Sequence, residues 1–155
     1  MADPAQVIGE VYRRNAGRYG DKPAFIMPDG RACSFAALHE RVKRLCNALA
    51  ARGLKPGDRV GILSRNRIEY VEGYGVSSAG LIALPLNWRL APRELQIVLD
   101  NARPGALIVD ASFVPVIEEM RAALPFVRHF IGFDGASAGF ESYEAMLAEA
   151  STAPP

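Results

Sequence analysis

Residues 77–110, SSAGLIALPLNWRLAPRELQIVLDNARPGALIVD, decide the fold of this chain. Two short apolar runs, Leu81–Leu84 and Leu107–Val109, flank a segment with helical spacing that begins at Pro92 and fades at Asn101. Apolar runs that alternate with amphipathic helices are typical of parallel βαβ units, because the strands of such units are covered on both faces. The stretch therefore predicts strand, loop, helix and strand in that order.

The loop after the first apolar run carries Trp88, the only tryptophan of the chain, and Arg89. In parallel α/β folds, the loops that follow the strands place the contacts to ligands. An arginine on such a loop can bind a phosphate group through its planar fork of donors. The alternative is that Arg89 pairs with a neighbouring acidic residue while Trp88 is a packing anchor, and the spacing alone leaves both open.

The same periodicities predict further elements on both sides of this stretch. Helices are predicted over Ala5–Arg18, from Ser34 to Gly53, after Asn66, after Ser112 and over Glu141–Ala150, and strands over Ala24–Met27, Arg31–Ser34, Val60–Leu63 and Val127–Phe133. The first two strands, joined by Pro28-Asp29-Gly30, predict a hairpin at a sheet edge. The fold class is thus α/β, a layered and mostly parallel sheet flanked by helices, with an N-terminal edge hairpin.

Three sets of residues are predicted to start helices or to pack closely. Ser34 and Ser112 are predicted N-caps, and Asn66 with Glu69 predicts a capping box. Gly73-Tyr74-Gly75, followed by Ser78, resembles an incomplete dinucleotide fingerprint, but it lies late in a predicted helix. We therefore expect these glycines to let the helix pack closely on its neighbours.

Composition and charge exclude several classes of function. The chain has 155 residues and a formal net charge of +1, and its Lys and Arg residues are scattered among acidic ones, so nothing points to nucleic acid. No apolar run is long enough to span a membrane. The polar N-terminus lacks the layout of a signal peptide, which favours a cytoplasmic location.

Few residues suggest catalysis by themselves. Neither a G-x-x-x-x-G-K-S/T phosphate loop nor a G-x-S-x-G nucleophile elbow occurs in the chain. Cys33 and Cys46 have no zinc or redox spacing and are predicted to be structural, and His39 and His129 lack the companions that a metal site needs. The carboxylates of the pairs Glu69/Glu72 and Glu118/Glu119 are predicted to lie on solvated helix faces.

Three segments make the chain resemble the N-terminal region of the adenylate-forming enzymes, in particular the acid–CoA ligases. The first is Ser34–Leu38, which leads into Asn47-Ala48-Leu49; the second is Gly57–Leu63, followed by Asn66 and Glu69; the third is Ala79–Asn87, followed by Arg89-Leu90 and Glu94-Leu95. Their order and spacing agree with the family, and the resemblance extends from about Val7 to Leu147. It implies the large N-terminal domain of that superfamily as the fold.

The resemblance implies an enzyme with ATP, Mg²⁺, CoA and a carboxylic acid as cofactors and substrates. The family's Ser/Thr/Gly-rich ATP loop, which ends in Pro-Lys-Gly, does not occur here, and neither do the later catalytic motifs. Residues 1–150 are therefore expected to be an α/β subdomain, and residues 151–155 the start of a linker to the ATP-binding portion. This piece alone is expected to be inactive and to bind none of these cofactors tightly, and no residue is assigned a catalytic role.

Arg89 matches the family position whose arginine approaches a phosphate of CoA in some members. Two alternatives to the ligase remain open: a standalone binding module without catalysis, and an adenylating enzyme that loads a carrier protein. An apolar face left exposed on this piece predicts homo-oligomers. The nature of the acid, whether fatty, aromatic or short-chain, does not follow from these residues.

Overall fold

Helices and strands alternate along residues 8–137 and 139–155, which are the residues that the computed structural model describes. The helices are α1 (Ile8–Tyr19), α2 (Phe35–Ala51), α3 (Ile68–Tyr74), α4 (Pro92–Ala102), α5 (Val114–Met120) and α6 (Tyr143–Glu149). The strands are β1 (Pro23–Ile26), β2 (Ala32–Ser34), β3 (Arg59–Leu63), β4 (Ile82–Pro85), β5 (Ala106–Val109), β6 (His129–Gly132) and β7 (Glu141–Ser142). Short 3₁₀ turns follow α3, β5 and α5, at Gly75–Ala79, Ala111–Phe113 and Arg121–Ala123.

The central sheet has five strands in the order β4-β3-β5-β6-β7, and every neighbouring pair is parallel. This confirms the layered, mostly parallel α/β fold. The N-terminal hairpin is also present, with β1 and β2 antiparallel. However, β1 and β2 form a separate two-stranded sheet, so the expectation that this hairpin extends an edge of the main sheet is wrong.

Alternate residues of each central strand face different helices. Val60 and Ile62 of β3 pack in one core with α2 and α6, whereas Leu63 packs in a second core with α4 and α5. All four residues of β5, Ala106–Val109, are fully buried. Since successive side chains of a strand point to opposite faces, a strand buried on both sides reads as a continuous apolar run.

Two predicted helix starts are confirmed. The Ser34 hydroxyl accepts a hydrogen bond of 3.2 Å from the backbone N–H of Ala37, so Ser34 is the N-cap of α2. Pro92 is the first residue of α4, where its missing N–H costs nothing. The carboxylate of Glu94 accepts a further bond, of 2.9 Å, from the N–H of Ala91.

Two other predicted helix starts are wrong. Helix α3 begins after Arg67, which makes no side-chain cap, and Glu69 accepts from Arg67 and not from Asn66 as the predicted capping box requires. Ser112 does not cap a helix either. Asp110 caps the 3₁₀ turn Ala111–Phe113 by accepting from the N–H of Ser112, and α5 begins two residues after Ser112 without a side-chain cap. At Asn66 the predicted capping box does not form because the Arg67 side chain donates to Glu69, and near Ser112 the carboxylate of Asp110 is the acceptor instead.

Several boundaries also differ from those expected. Residues 5–7 of the first predicted helix lie outside the described residues, and the described part, Ile8–Tyr19, is helical. The first two residues of the predicted Glu141–Ala150 helix form the edge strand β7, and Ser142 then caps α6. A two-residue strand pairs through its backbone and carries no periodic signal.

The glycines of α3 and the turn after it allow close packing, as predicted. A Cβ atom on Gly73 would lie 2.4 Å from Cδ1 of Ile62 in β3, and one on Gly75 would lie 2.5 Å from both methyl carbons of Val42 in α2. Cys46 is buried beside Gly75, and burial raises the pKa of its thiol to about 11. A thiol in such a place is a packing group with little nucleophilic character at neutral pH.

Candidate functional site

The carboxyl ends of β3, β4, β5 and β6 meet at one edge of the sheet because these strands are parallel. The loop after β3 holds Arg65 and Arg67, and the loop after β4 holds Trp88 and Arg89. Asp110 and Phe113 follow β5, and Asp134 follows β6. Charged and aromatic side chains from four loops are therefore collected at the edge where such folds bind ligands.

Arg89 is exposed on a loop whose backbone is held in place. The N–H of Arg89 donates a 3.0 Å bond to the Asn87 side chain, and the N–H of Leu90 donates to the Asn87 carbonyl. The Arg89 guanidinium lies 4.3 Å from the centre of the Trp88 ring, a cation–π contact. Among the described residues, no carboxylate forms an ion pair with it, so the predicted alternative of an acidic partner is not observed.

Trp88 is the packing anchor that the sequence suggested. Its ring is half-buried, packs against the second core and lies 6.4 Å from the ring of Phe113. The Arg65 guanidinium also lies against these rings, 5.2 Å from Trp88 and 5.9 Å from Phe113. Arg65 was not singled out from the sequence. The signal that could have found it is the one that pointed to Arg89, an arginine just after a buried strand.

Arg67 has a different environment two residues further on. Its guanidinium bonds to three carboxylates, Glu69 at 2.8 Å, Asp134 at 3.0 Å and Asp110 at 3.4 Å. Burial alone would lower the pKa of Arg67, but the hydrogen bonds to Glu69 and Asp134 raise it above its usual value. Arg67 thus links the loops that follow β3, β5 and β6. Its positive charge is paired with the carboxylates of Asp110 and Asp134.

A second polar cluster lies among helices α2, α3 and α6. Glu72 is 0% exposed, so the prediction that it lies on a solvated helix face is wrong. Its carboxylate accepts bonds from Arg41 Nε at 2.5 Å and from the Tyr143 hydroxyl at 2.8 Å. The remaining nitrogens of Arg41 donate to both oxygens of Glu144. The cluster joins three helices that are far apart in sequence.

The environments of Glu69 and Glu72 differ although one helix carries both. Burial raises the pKa of Glu72 above its ordinary value, and the Arg41 guanidinium offsets this shift only in part. Burial would also raise the pKa of Glu69, but the bond from Arg67 lowers it below the ordinary value. A cleft of about 570 Å³ opens beside both. Its three glutamates, which include Glu144, are already bonded to arginines, so we read the cleft as structural.

The two histidines lie in different elements, His39 in α2 and His129 in β6. His39 is half-buried on α2, and His129 has its ring nitrogens 3.0 Å from Glu141 Oε1 and 3.1 Å from the Arg52 carbonyl. Glu141 was not anticipated as a companion of His129. Across residues 8–137 and 139–155, no group of three or more His, Cys, Asp or Glu side chains is arranged to hold a metal ion. In the same residues, no helix is long and apolar enough to cross a membrane.

The chain is similar to a known protein family over most of its length. Residues 12–153 match the family described as AMP-binding enzyme. A long-chain-fatty-acid–CoA ligase of Thermus thermophilus is 34% identical over 118 residues, which are 75% of this chain and 22% of that protein. The fatty acid–acyl-carrier-protein ligase ScoC of Streptomyces coeruleorubidus is 36% identical over 101 residues, 64% of this chain and 20% of that protein.

A solved structure has the same fold. A fatty acyl CoA synthetase of Mycobacterium tuberculosis superimposes with a TM-score of 0.86 at 28% identity, over 99% of this chain and 30% of that one. The chain thus spans between 20% and 30% of the length of these proteins. Because the family match extends over residues 12–153 and the folds agree, the chain belongs to the AMP-binding enzymes, the adenylate-forming family that its sequence resembles.

Proposed function

We propose that the protein containing this chain is an ATP-dependent acid–CoA ligase. In the first step a carboxylate oxygen attacks the α-phosphate of ATP, and the bond to pyrophosphate breaks. In the second step the CoA thiolate attacks the acyl carbon, and the bond to AMP breaks. The described residues contribute to the second step through phosphate recognition, and segments outside residues 1–155 would supply the groups that hold ATP and Mg²⁺.

The exposed guanidinium of Arg89 is the observation that carries this proposal. It projects from the loop after β4, rests on Trp88 and has no carboxylate partner among the described residues. Because an arginine without a partner keeps its donors free for an anion, Arg89 is suited to a phosphate of CoA. The names of the relatives, a fatty acid–CoA ligase among them, support the same class of acceptor.

A second candidate acceptor is a carrier protein. The relative ScoC is named for loading fatty acids onto an acyl carrier protein. A thioester assay distinguishes the two acceptors. The natural protein that contains this chain is incubated with ATP and a set of fatty, aromatic and short-chain acids, together with either free CoA or a phosphopantetheinylated carrier protein. A thioester formed only on the carrier would replace the ligase proposal with the second. No thioester and no ATP–pyrophosphate exchange with any acid would favour a non-catalytic module.

Replacing Arg89 by alanine is expected to raise the KM for CoA about tenfold or more, with little change in the KM values for ATP and the acid. A hydrogen bond to a charged group contributes about 1.5–3 kcal/mol, and about 1.4 kcal/mol corresponds to a factor of ten. Steady-state kinetics with each substrate varied in turn measures this. Arg93→Ala removes an exposed positive charge from the first turn of α4 and is the matched control. Equal rises in all three KM values would contradict the CoA contact.

The remaining expectations about the chain stay proposals. We propose that residues 1–150 form a subdomain and that residues 151–155 begin a linker; the side chain of Asn47 donates to the carbonyls of Ser151 and Ala153, which places this segment against α2. The isolated chain is proposed to be inactive.

We also propose that copies of the chain associate through apolar surface. Four exposed isoleucines, on α1, β1, β4 and α4, support this: Ile8, Ile26, Ile82 and Ile97. A cytoplasmic location also remains a prediction.

A further inference from the structure

Arg65 and Arg89 share one aromatic support. The Arg65 guanidinium carbon lies 5.2 Å from the centre of the Trp88 ring, and that of Arg89 lies 4.3 Å from it. The two guanidinium carbons are therefore at most about 9.5 Å apart, the two distances laid end to end. The Arg65 guanidinium carbon also lies 5.9 Å from the centre of the Phe113 ring. Two cations and two rings thus form one surface.

The charges of this surface are not balanced within the described residues. Neither Arg65 nor Arg89 belongs to any of the ion pairs that these residues form. The nearby carboxylates of Asp110 and Asp134 are bonded to Arg67. Two like charges held close together on one ring repel each other, and an anion placed between or beside them removes that repulsion.

The position of this surface in the fold favours a ligand independently of its charge. Strand β3 pairs with β4 on one side and with β5 on the other, so the chain leaves β3 in one direction and then crosses back over it. Open parallel sheets bind ligands at the carboxyl ends of the strands where the strand order reverses in this way. Arg65 follows β3, Trp88 follows β4 and Phe113 follows β5, so the surface lies at this reversal.

We propose that Arg65 is a second phosphate-binding residue beside Arg89, and that Trp88 orients both guanidiniums toward the same phosphorylated ligand. This inference rests on the proposed function, since it takes that ligand to be the nucleotide end of CoA. CoA carries a 3′-phosphate on its ribose and a 5′-pyrophosphate. Both groups have the oxygen geometry that the planar donor fork of arginine recognises.

The test measures acceptor kinetics of the natural protein that contains this chain, with CoA, dephospho-CoA and pantetheine. We expect Arg65→Ala to raise the KM for CoA about fivefold to tenfold, to leave kcat and the KM for ATP nearly unchanged, and to leave the KM for pantetheine unchanged, since pantetheine has no phosphate. Dephospho-CoA lacks only the 3′-phosphate. An unchanged KM for it in Arg65→Ala assigns Arg65 to the 3′-phosphate, and a raised KM assigns it to the pyrophosphate.

Two further variants complete the set. Arg65→Lys keeps the charge but loses the planar fork, so its KM for CoA is expected to lie between those of the wild type and Arg65→Ala. Arg14→Ala removes an exposed positive charge from α1 and is expected to have no effect on any acceptor. Equal changes with CoA and pantetheine in Arg65→Ala, or no change with CoA, would overturn the proposal.

A direct binding measurement separates this proposal from the proposed function. Titration calorimetry with adenosine 3′,5′-bisphosphate, with AMP as a second probe, does not require thioester formation. If the wild type forms no thioester with CoA, the proposed function fails, and weaker binding of the bisphosphate by Arg65→Ala still supports a phosphate site at Arg65. If Arg89→Ala weakens CoA use while Arg65→Ala changes neither kinetics nor binding, the proposed function stands and this inference is wrong.

Discussion

Replacing the buried Glu72 by alanine is expected to lower the free energy of unfolding by about 3 kcal/mol. The Tyr143 hydroxyl, which is fully buried, would lose its acceptor, and an unpaired buried polar group costs about 1–3 kcal/mol. A lost buried methylene adds about 0.8 kcal/mol. Arg41 would lose one partner but keep Glu144, which limits the cost of its charge.

Equilibrium urea unfolding of the chain measures this change. Glu119→Ala is the matched control, because Glu119 is also a helical glutamate but is exposed, and its loss is expected to change stability by less than about 0.5 kcal/mol. The double variant Glu72→Ala/Tyr143→Phe removes donor and acceptor together. It should lose about 1 kcal/mol less than the sum of the single changes. Equal stability losses in Glu72→Ala and Glu119→Ala would show that the buried network contributes nothing.

The pH dependence of the same site has a definite sign. Because the pKa of Glu72 is raised above its ordinary value of 4.5, the folded chain binds a proton that the unfolded chain has released. The contribution of Glu72 to stability is therefore full below pH 4.5 and falls as the pH rises to its folded pKa. Glu72→Gln keeps an acceptor for Tyr143 and cannot titrate. The difference in stability, wild type minus Glu72→Gln, should become smaller with rising pH across this window.

The elements that the sequence predicted well are those whose signal is local. The run Leu107–Val109 predicts a strand because burial on both faces demands apolar residues at every position. Ser34 and Pro92 predict helix starts because their effect acts on backbone groups within one turn. The resemblance to adenylate-forming enzymes rests on such segments in their correct order, and the comparisons confirm it.

The failures that concern Glu72 and Arg65 involve partners that are remote in sequence. Glu72 is bonded to residues 31 and 71 positions away, so nothing near it distinguishes it from a solvated glutamate. Glu69 was assigned to Asn66 because of their spacing, whereas Arg67 bonds to it in the folded chain. The contacts of Arg65 with Trp88 and Phe113 form only when the loops after β3, β4 and β5 come together in the folded chain. The packing of the helices decides the contacts of Glu72, and the order of the strands decides those of Arg65; one sequence specifies neither.

The second large effect is expected at Gly75, where alanine should destabilise the chain by about 1–3 kcal/mol. A Cβ atom there would lie 2.5 Å from both methyl carbons of Val42, well inside van der Waals contact. Val42 is 0% exposed and β-branched, so it can neither move into solvent nor rotate easily to another rotamer. The 3₁₀ turn and α2 must therefore separate, which disturbs the core between them.

Gly17→Ala is the matched control because Gly17 lies within α1, and a Cβ atom there would meet nothing within 4 Å. Alanine at that position is expected to stabilise the chain by about 0.5–1 kcal/mol, since glycine in a helix loses more backbone entropy on folding. Opposite changes in stability for Gly75→Ala and Gly17→Ala would distinguish steric crowding from the effect of backbone entropy.

In the double variant Gly75→Ala/Val42→Ala, the new methyl group occupies space that the valine leaves. The double variant should lose less stability than the sum of the two single variants, by about 1 kcal/mol or more. If the two single losses simply add up, the added methyl group does not contact Val42.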